Sequence, residues 1–408
     1  MQGTPKGSRL HIAIFGRRNA GKSSLINTLT NQDVALVSPV PGTTTDPVTK
    51  AMEILPIGPV MIIDTAGIDD VGELGLLRVE KTCQVLNKAD IAVLVIDVES
   101  GLTEFDYKLI ADITKREIPI VGVINKADLV SNGTIHPSKY EQATGVRFLP
   151  VSAKTGEGIE ELKSSIIEKT PLEWEGPPII GDLIVPGDTV VLVVPIDSAA
   201  PKGRLILPQV QTLRDILDHD GCGLTIKENQ LTECLTMLRK PPKLVVTDSQ
   251  VFDKVDKTTP VGIAMTSFSV LFARHKGNLE TFVSGAKAIE KLKPGDKVLI
   301  AEACTHHRQE DDIGSVKIPR WLNKAVGGEL AYSWVAGGQF PDNICDYKLV
   351  IHCGACMITR REMLYRLSVV RQKGVPIVNY GILIAYLNDV LDRALAPFPS
   401  AKKIMHQS

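Results

Sequence analysis

Several things are scarce in this chain of 408 residues. Aromatic residues make up only 5%. Basic and acidic side chains number 46 and 47, so the net charge is −1. No global basic field therefore exists to hold nucleic acid or an anionic membrane surface. No apolar run approaches the ~20 residues needed to cross a bilayer. The longest, Ile91–Ile96 and Val190–Ile196, are short and β-branched, the pattern of strands buried in a parallel sheet. The opening stretch MQGTPKGSRLHIAIFG has no signal-peptide core before its first strand-like run. Seven cysteines, odd in number and thinly spread, do not make the dense, even framework of a disulfide-stapled secreted domain. A reduced, cytoplasmic setting is expected, with cysteines serving as buried filler, metal ligands or catalysts. The remaining composition, 44% hydrophobic and 23% charged, is that of a globular chain.

What is present is an alternation of strand-like runs with helical patterns. It predicts an α/β class throughout, in three α/β domains. The first spans 1–171, with a doubly wound, mostly parallel sheet built on His11–Phe15, Val60–Ile63, Ile91–Ile96, Ile118–Ile124 and Arg147–Val151. The Pro- and Gly-containing stretch Thr170–Gly187 reads as a linker. The second domain spans 180–259, with strands Thr189–Ile196, Gly223–Lys227 and Lys243–Thr247. The third spans 260–408. It is expected to open with strand Val261–Met265 and one long helix to Leu292. Strands Lys297–Ala303, Leu330–Val335, Lys348–His352 and Pro376–Asn379 follow, with a basic helix Thr359–Lys373 before the last.

Gly16-Arg17-Arg18-Asn19-Ala20-Gly21-Lys22-Ser23 fits G-x-x-x-x-G-K-[S/T] between a strand and a helix, the setting of a P-loop. The glycines let backbone N–H groups face phosphate oxygens, and the helix N-terminus adds positive potential. Gly16, Asn19, Ala20, Gly21, Lys22, Ser23 and Ser24 form this cradle. Lys22 reaches the outer phosphates and Ser23 binds Mg²⁺. Asp64-Thr65-Ala66-Gly67 ends the next strand; Asp64 holds Mg²⁺ and the Gly67 amide meets the γ-phosphate. Asn125-Lys126-Ala127-Asp128 ends another. The Asp128 carboxylate there can accept from guanine N1–H and N2–H₂, which adenine cannot supply. Ser152-Ala153-Lys154 follows, with the Ala153 amide facing guanine O6. The order matches a GTPase.

Ile68 follows Gly67 where Ras-like GTPases carry a water-orienting Gln, so hydrolysis needs another device. Pro41-Gly42-Thr43-Thr44-Thr45-Asp46 resembles the first switch loop of the TrmE/Era-like GTPases. That resemblance makes Thr44 a Mg²⁺ ligand and Asn19 a K⁺ ligand, the K⁺ supplying charge at the transition state. Lys22, Asn19, Thr44 and Gly67 are then the catalytic set.

Cys83, Cys222, Cys234 and Cys345 look isolated and are read as buried filler. Three others are different. Cys353-Gly354-Ala355-Cys356 follows a strand directly, with His352 beside it. Cys304-Thr305-His306 follows another. Ligands collect at the carboxyl ends of strands in α/β sheets, so these distant segments can meet. A redox dithiol leaves Cys304 and His306 unexplained. A four-ligand zinc site and an iron–sulfur cluster both remain open on spacing alone.

The pattern Cys304-x-His306 followed by His352-Cys353-x-x-Cys356, behind a GTPase domain, resembles HydF, the GTPases that mature [FeFe]-hydrogenase. The resemblance runs over the whole chain in domain order: GTPase, dimerisation and cluster-binding domains. It implies a [4Fe-4S] cluster on Cys304, Cys353 and Cys356, and a transient diiron precursor of the hydrogenase active site. His306 and His352 become candidate ligands or hydrogen-bond donors to the site. Glu302, Glu310, Asp311 and Asp312 lie near Cys304 as alternatives for a fourth ligand. The implied partners are the radical-SAM maturases HydE and HydG and apo-[FeFe]-hydrogenase. A cytoplasmic homodimer through the middle domain is implied as well, without membrane or nucleic acid. Strand edges around Thr189–Ile196 or Lys243–Thr247 are expected to pair across its two-fold axis. The competing reading is a TrmE/Era-like GTPase of RNA modification or ribosome assembly with a structural zinc site.

Overall fold

The computed structural model describes residues 4–30, 48–65, 73–130, 135–196, 205–303, 312–337, 340–341 and 343–407, with backbone alone for 73–79. Thr44, Gly67, Ile68, Cys304, His306, Glu310 and Asp311 lie outside the described residues. The chain divides into two compact units, Met1–Glu175 and Gly176–Ser408.

The first unit is built on β1 (Leu10–Phe15), β2 (Val48–Ile54), β3 (Gly58–Asp64), β4 (Ile91–Asp97), β5 (Ile120–Asn125) and β6 (Phe148–Pro150). Their order is β2-β3-β1-β4-β5-β6, and only β2 runs antiparallel. Strands β1 and β4 are apolar runs buried on both faces, as central parallel strands must be. Helices Lys22–Thr30 and Ile159–Lys169 cover one face through Leu25, Ile26, Leu162 and Ile166. Helix Glu104–Lys115 covers the other through Leu109, Ile110 and Ile113. Strand β2 was not anticipated. Its sequence VTKAMEI carries no apolar run, because an edge strand buries little; only Ile54 is buried.

The second unit holds two four-stranded, all-parallel sheets sharing one continuous apolar core. The first comprises β7 (Thr189–Val193), β8 (Cys222–Ile226), β9 (Leu244–Thr247) and β10 (Ala264–Ser267), in the order β10-β9-β7-β8. The second comprises β11 (Lys297–Glu302), β12 (Ala331–Ala336), β13 (Leu349–His352) and β14 (Ile377–Asn379), in the order β12-β11-β13-β14. The fold is thus α/β, in three α/β blocks each built on its own sheet, the first a P-loop fold.

Four expectations are corrected. Neither Thr189–Ile196 nor Lys243–Thr247 offers a sheet edge: β7 and β9 are both internal, and the edges are β8 and β10. The strand expected to open the third domain forms as β10 and pairs with β9, so it completes the middle sheet. The long helix to Leu292 is two helices, Phe268–Lys276 and Leu279–Ala286. The break falls at Gly277, and Asn278 caps the second by accepting from the Thr281 amide at 2.8 Å. The stretch Thr170–Gly187 is not a free linker, since Ile179, Ile180 and Ile184 lie in the second unit's core.

Two of the four filler cysteines also depart from expectation. Cys222 and Cys345 are exposed, because they sit on an edge strand and in a surface turn. Among the described residues, no helix is long and apolar enough to cross a membrane.

Candidate functional site

In the first unit, the loops after β1, β5 and β6 and the end of β3 at Asp64 meet at the carboxyl edge of the sheet. The P-loop must pass close under β4. A Cβ on Gly16, at φ +148°, would stand 2.3 Å from the Val95 carbonyl oxygen. One on Gly21, at φ +86°, would stand 2.2 Å from Asn125 Nδ2. Asn19 holds a left-handed φ of 62°, which its short polar side chain tolerates. The buried Lys22 ammonium donates to the carbonyls of Gly16 and Arg17, both at 2.9 Å.

Ser23 Oγ donates to Asp64 Oδ2 at 2.7 Å, while the buried Asp64 Oδ1 has no hydrogen-bond partner. Burial raises the Asp64 carboxyl above its ordinary value, opposed by the Ser23 bond and the charges of Lys22 and Lys50. A hydroxyl beside a carboxylate with one unsatisfied oxygen is a hard oxygen donor set, which fits Mg²⁺.

Asn125 ties three loops together. Its Nδ2 donates to Ala20 O at 2.8 Å, and its Oδ1 accepts from the Ala153 amide at 3.1 Å. Lys126, at φ 63°, donates to Asp97 Oδ2 at 2.5 Å. Burial opposes ionisation of Asp97, yet that bond holds its carboxyl below the usual range. Ser152 Oγ donates to Asp128 Oδ1 at 2.7 Å, which aims this carboxylate across the opening. The resulting cleft, about 500 Å³, is lined by Gly21, Ser24, Asn125, Asp128, Ala153 and Lys154 among others. That is the size of a small-ligand site.

In the second unit, β11 and β13 are the pair between which strand order reverses, the place where open α/β sheets bind ligands. Cys353 begins the loop after β13. Its amide donates to Ala301 O at 3.0 Å, and its Sγ accepts from the Ala303 amide at 3.0 Å. The loop after β11, which leads at once into Cys304, is therefore fastened to Cys353. Ala355, buried and at φ 56°, turns the loop so that half-buried Cys356 follows. Glu302, nearly buried at the end of β11, accepts from Tyr380 Oη at 3.2 Å. Burial and then the Glu302 charge push the Tyr380 hydroxyl far above its ordinary value, so it remains a donor. Asp312 accepts from the amide and hydroxyl of Ser315, both at 2.9 Å, and caps the turn Ile313–Lys317. His352 is fully buried. Among the described residues, no three His, Cys, Asp or Glu side chains form a complete metal-binding group.

The comparisons with known proteins divide along the same lines. The hydrogen maturase F dimerization domain matches residues 179–277. The hydrogen maturase F tetramerization domain matches 280–397, and the two together cover more than half of the chain. The chain belongs to the hydrogen maturase F (HydF) family. A 50S ribosome-binding GTPase family matches 11–126, so the first unit is a GTPase domain. In that part the HydF chain is similar to the tRNA modification GTPase MnmE of Carboxydothermus hydrogenoformans, 41% identical over 165 residues, 40% of this chain and 35% of that protein. It is also similar to GTPase Der of Sulfurihydrogenibium sp., 39% identical over 177 residues, 41% of this chain and 39% of that protein. The chain thus spans little more than a third of the length of these curated relatives. Among solved structures, Era of Aquifex aeolicus aligns over 89% of this chain and 98% of its own, at 18% identity and a TM-score of 0.37. The dimerization and tetramerization domains matched here support oligomerisation of the chain.

The structure brings together Gly16, Asn19, Ala20, Gly21, Lys22, Ser23, Ser24, Asp64, Asn125, Lys126, Asp128, Ser152, Ala153 and Lys154 in the first unit of this HydF chain. In the second it brings Cys353, Cys356 and His352 to one strand end. Sequence reasoning missed Tyr380, Glu362 and Arg366. The Glu362–Arg366 pair was legible as an i,i+4 spacing on a helix, but nothing in the spacing says that it is buried.

Proposed function

We propose that the chain hydrolyses GTP and serves as a scaffold that holds a [4Fe-4S] cluster on Cys304, Cys353 and Cys356. On it the diiron precursor of the [FeFe]-hydrogenase active site is assembled and delivered. The observation that carries the reading is the bond from Ala303 N–H to Cys353 Sγ, inside a domain specific to the HydF family. It draws the residue before Cys304 to the Cys353-x-x-Cys356 loop. The donor set is soft thiolate, which suits iron–sulfur chemistry. When bound, the cluster supplies an iron corner at which a diiron unit can dock.

On the nucleotide side, Asp128 and the Ala153 amide select guanine, and the P-loop amides with Lys22 hold the phosphates. Ser23, Asp64 and Thr44 hold Mg²⁺, and the Gly67 amide meets the γ-phosphate. Asn19 holds K⁺, whose charge offsets what develops between the phosphates. With Na⁺ in place of K⁺, phosphate release is expected to slow by about 10²-fold, the scale of removing one transition-state charge contact; equal rates would refute K⁺ activation.

The partners in this reading are HydE, HydG and the apo-hydrogenase, in the reducing cytoplasm. A homodimer forms through the middle domain, whose free edge β8 is half open. Sedimentation at micromolar protein tests it, a monomer alone counting against it. The domains are taken as 1–171 for GTPase, from 180 through β10 for dimerisation, since β10 belongs to the middle sheet, and from there to 408 for the cluster. The RNA-directed reading with structural zinc is disfavoured by the two HydF domains matched in the chain's second unit. Anaerobic reconstitution with iron and sulfide decides between them. A brown protein with about four irons per chain supports the scaffold, and a colourless zinc protein overturns it.

A further inference from the structure

Behind the Cys353 loop lies a buried polar network that the proposed function does not use. Arg366, on helix Arg360–Gln372, is 1% exposed. Its Nη2 donates to Glu362 Oε1 at 2.7 Å and to Gly337 O at 2.6 Å, and its Nη1 lies 3.0 Å from His352 Nε2. The Phe340 ring lies beneath the guanidinium, 5.4 Å from it. Gly337 is the residue after β12, and its amide donates to Glu302 O at 2.8 Å. The network therefore links the carboxyl ends of β11, β12 and β13.

The chemistry of arginine decides which ring nitrogen of His352 carries hydrogen. A guanidinium has donors only, so Nε2 must be the acceptor. The hydrogen is then on Nδ1, which lies 2.8 Å from the Cys353 carbonyl and donates to it. Both ring nitrogens are spent inside the protein. Cys353 is in turn held at every polar point: its amide by Ala301, its carbonyl by His352 and its sulfur by Ala303.

We infer that His352 is not a metal ligand but a positioning residue, fixed as the Nδ1–H tautomer by the Glu362-braced Arg366 so that it orients the Cys353 peptide. Glu362 neutralises the buried guanidinium, and removing either would leave the other unpaired out of water. The inference rests on the cluster reading only for its effect on metal uptake; the tautomer itself is a property of the metal-free chain.

The metal-free protein, labelled with ¹⁵N-histidine and assigned with His352→Gln, provides the first test. A neutral His352 with hydrogen on Nδ1 is expected, and hydrogen on Nε2 overturns the inference. The second test compares His352→Asn with His352→Ala in the full chain after anaerobic reconstitution. An Asn amide can reproduce the Nδ1–H donor. His352→Asn should keep wild-type iron affinity and the wild-type EPR g-values, while His352→Ala should lose affinity by about 10- to 100-fold. Changed g-values in His352→Asn would make His352 an iron ligand and overturn the inference. Failure of the wild-type chain to take up iron would sink the cluster reading instead, with the tautomer still decided by the first test. Arg366→Lys keeps the charge but not the fork. It should shift the His352 ¹⁵N resonances while the fold persists by circular dichroism, and unmoved resonances would count against a role for Arg366.

Discussion

The Ala303 amide points at Cys353 Sγ across 3.0 Å, although fifty positions separate the two residues. The bond joins the ends of β11 and β13 at the reversal of strand order and draws both cysteine-bearing loops to one place. It also gives the sulfur a hydrogen-bond donor. Replacing Cys353 by Ser should abolish cluster assembly, whereas Cys222→Ser and Cys345→Ser, at exposed positions, should leave iron content unchanged. Iron and sulfide analysis after anaerobic reconstitution reads the difference.

In the proposed reading, guanine selection depends on the Asp128 carboxylate, which accepts a hydrogen bond from Ser152 Oγ. Asp128→Asn replaces an acceptor with a donor. GTP affinity should fall by about 10- to 100-fold, the worth of a hydrogen bond to a charged group. A base with a carbonyl in place of the 2-amino group, xanthine, should bind better than it does to the wild type. Fluorescent nucleotide titration checks both, and an unchanged preference would remove Asp128 from the base site.

Gly21 stands where the backbone is left-handed and a Cβ would meet Asn125 Nδ2 at 2.2 Å. Gly21→Ala should cost about 1–2 kcal/mol in backbone strain alone. It should also displace Asn125 from Ala20 and Ala153, which lowers nucleotide affinity further. Calorimetric titration with GDP alongside a melting curve separates the two effects.

His275 gives a pH signature. Burial, aided by the charges of Lys276 and Arg360, lowers it from 6.5 to about 4, against the bond of Nδ1 to Pro177 O at 2.8 Å. The unfolded chain takes up this proton near pH 6.5 and the folded chain only near 4. Stability from this group is therefore complete above about 6.5 and falls as pH drops through that window. The loss is at most about 3 kcal/mol. Urea melts of wild type and His275→Gln between pH 7 and 4 test it; the variant should show a shallower slope.

Much of this was legible beforehand. Phosphate and guanine recognition is local chemistry: backbone amides of one loop, and a carboxylate at one strand end. Gly16, Lys22, Asp64 and Asp128, the residues proposed for it, are therefore picked out by short-range order. Central strands such as β1 and β4 were legible because burial on both faces demands unbroken apolar runs. Strand β2 and the break at Gly277 were not, because edge pairing and capping need little apolar sequence.

By itself the sequence determined the α/β alternation, the nucleotide chemistry and the thiol inventory, since each is written in neighbouring residues. Only the tertiary structure decided which strands are edges, that the stretch after Thr170 is anchored in a core, and which groups the two ring nitrogens of His352 meet. Those depend on partners distant in the chain. A histidine beside two cysteines looks like a ligand until a buried guanidinium, fourteen positions away and with no lone pair to offer, is found facing its second nitrogen.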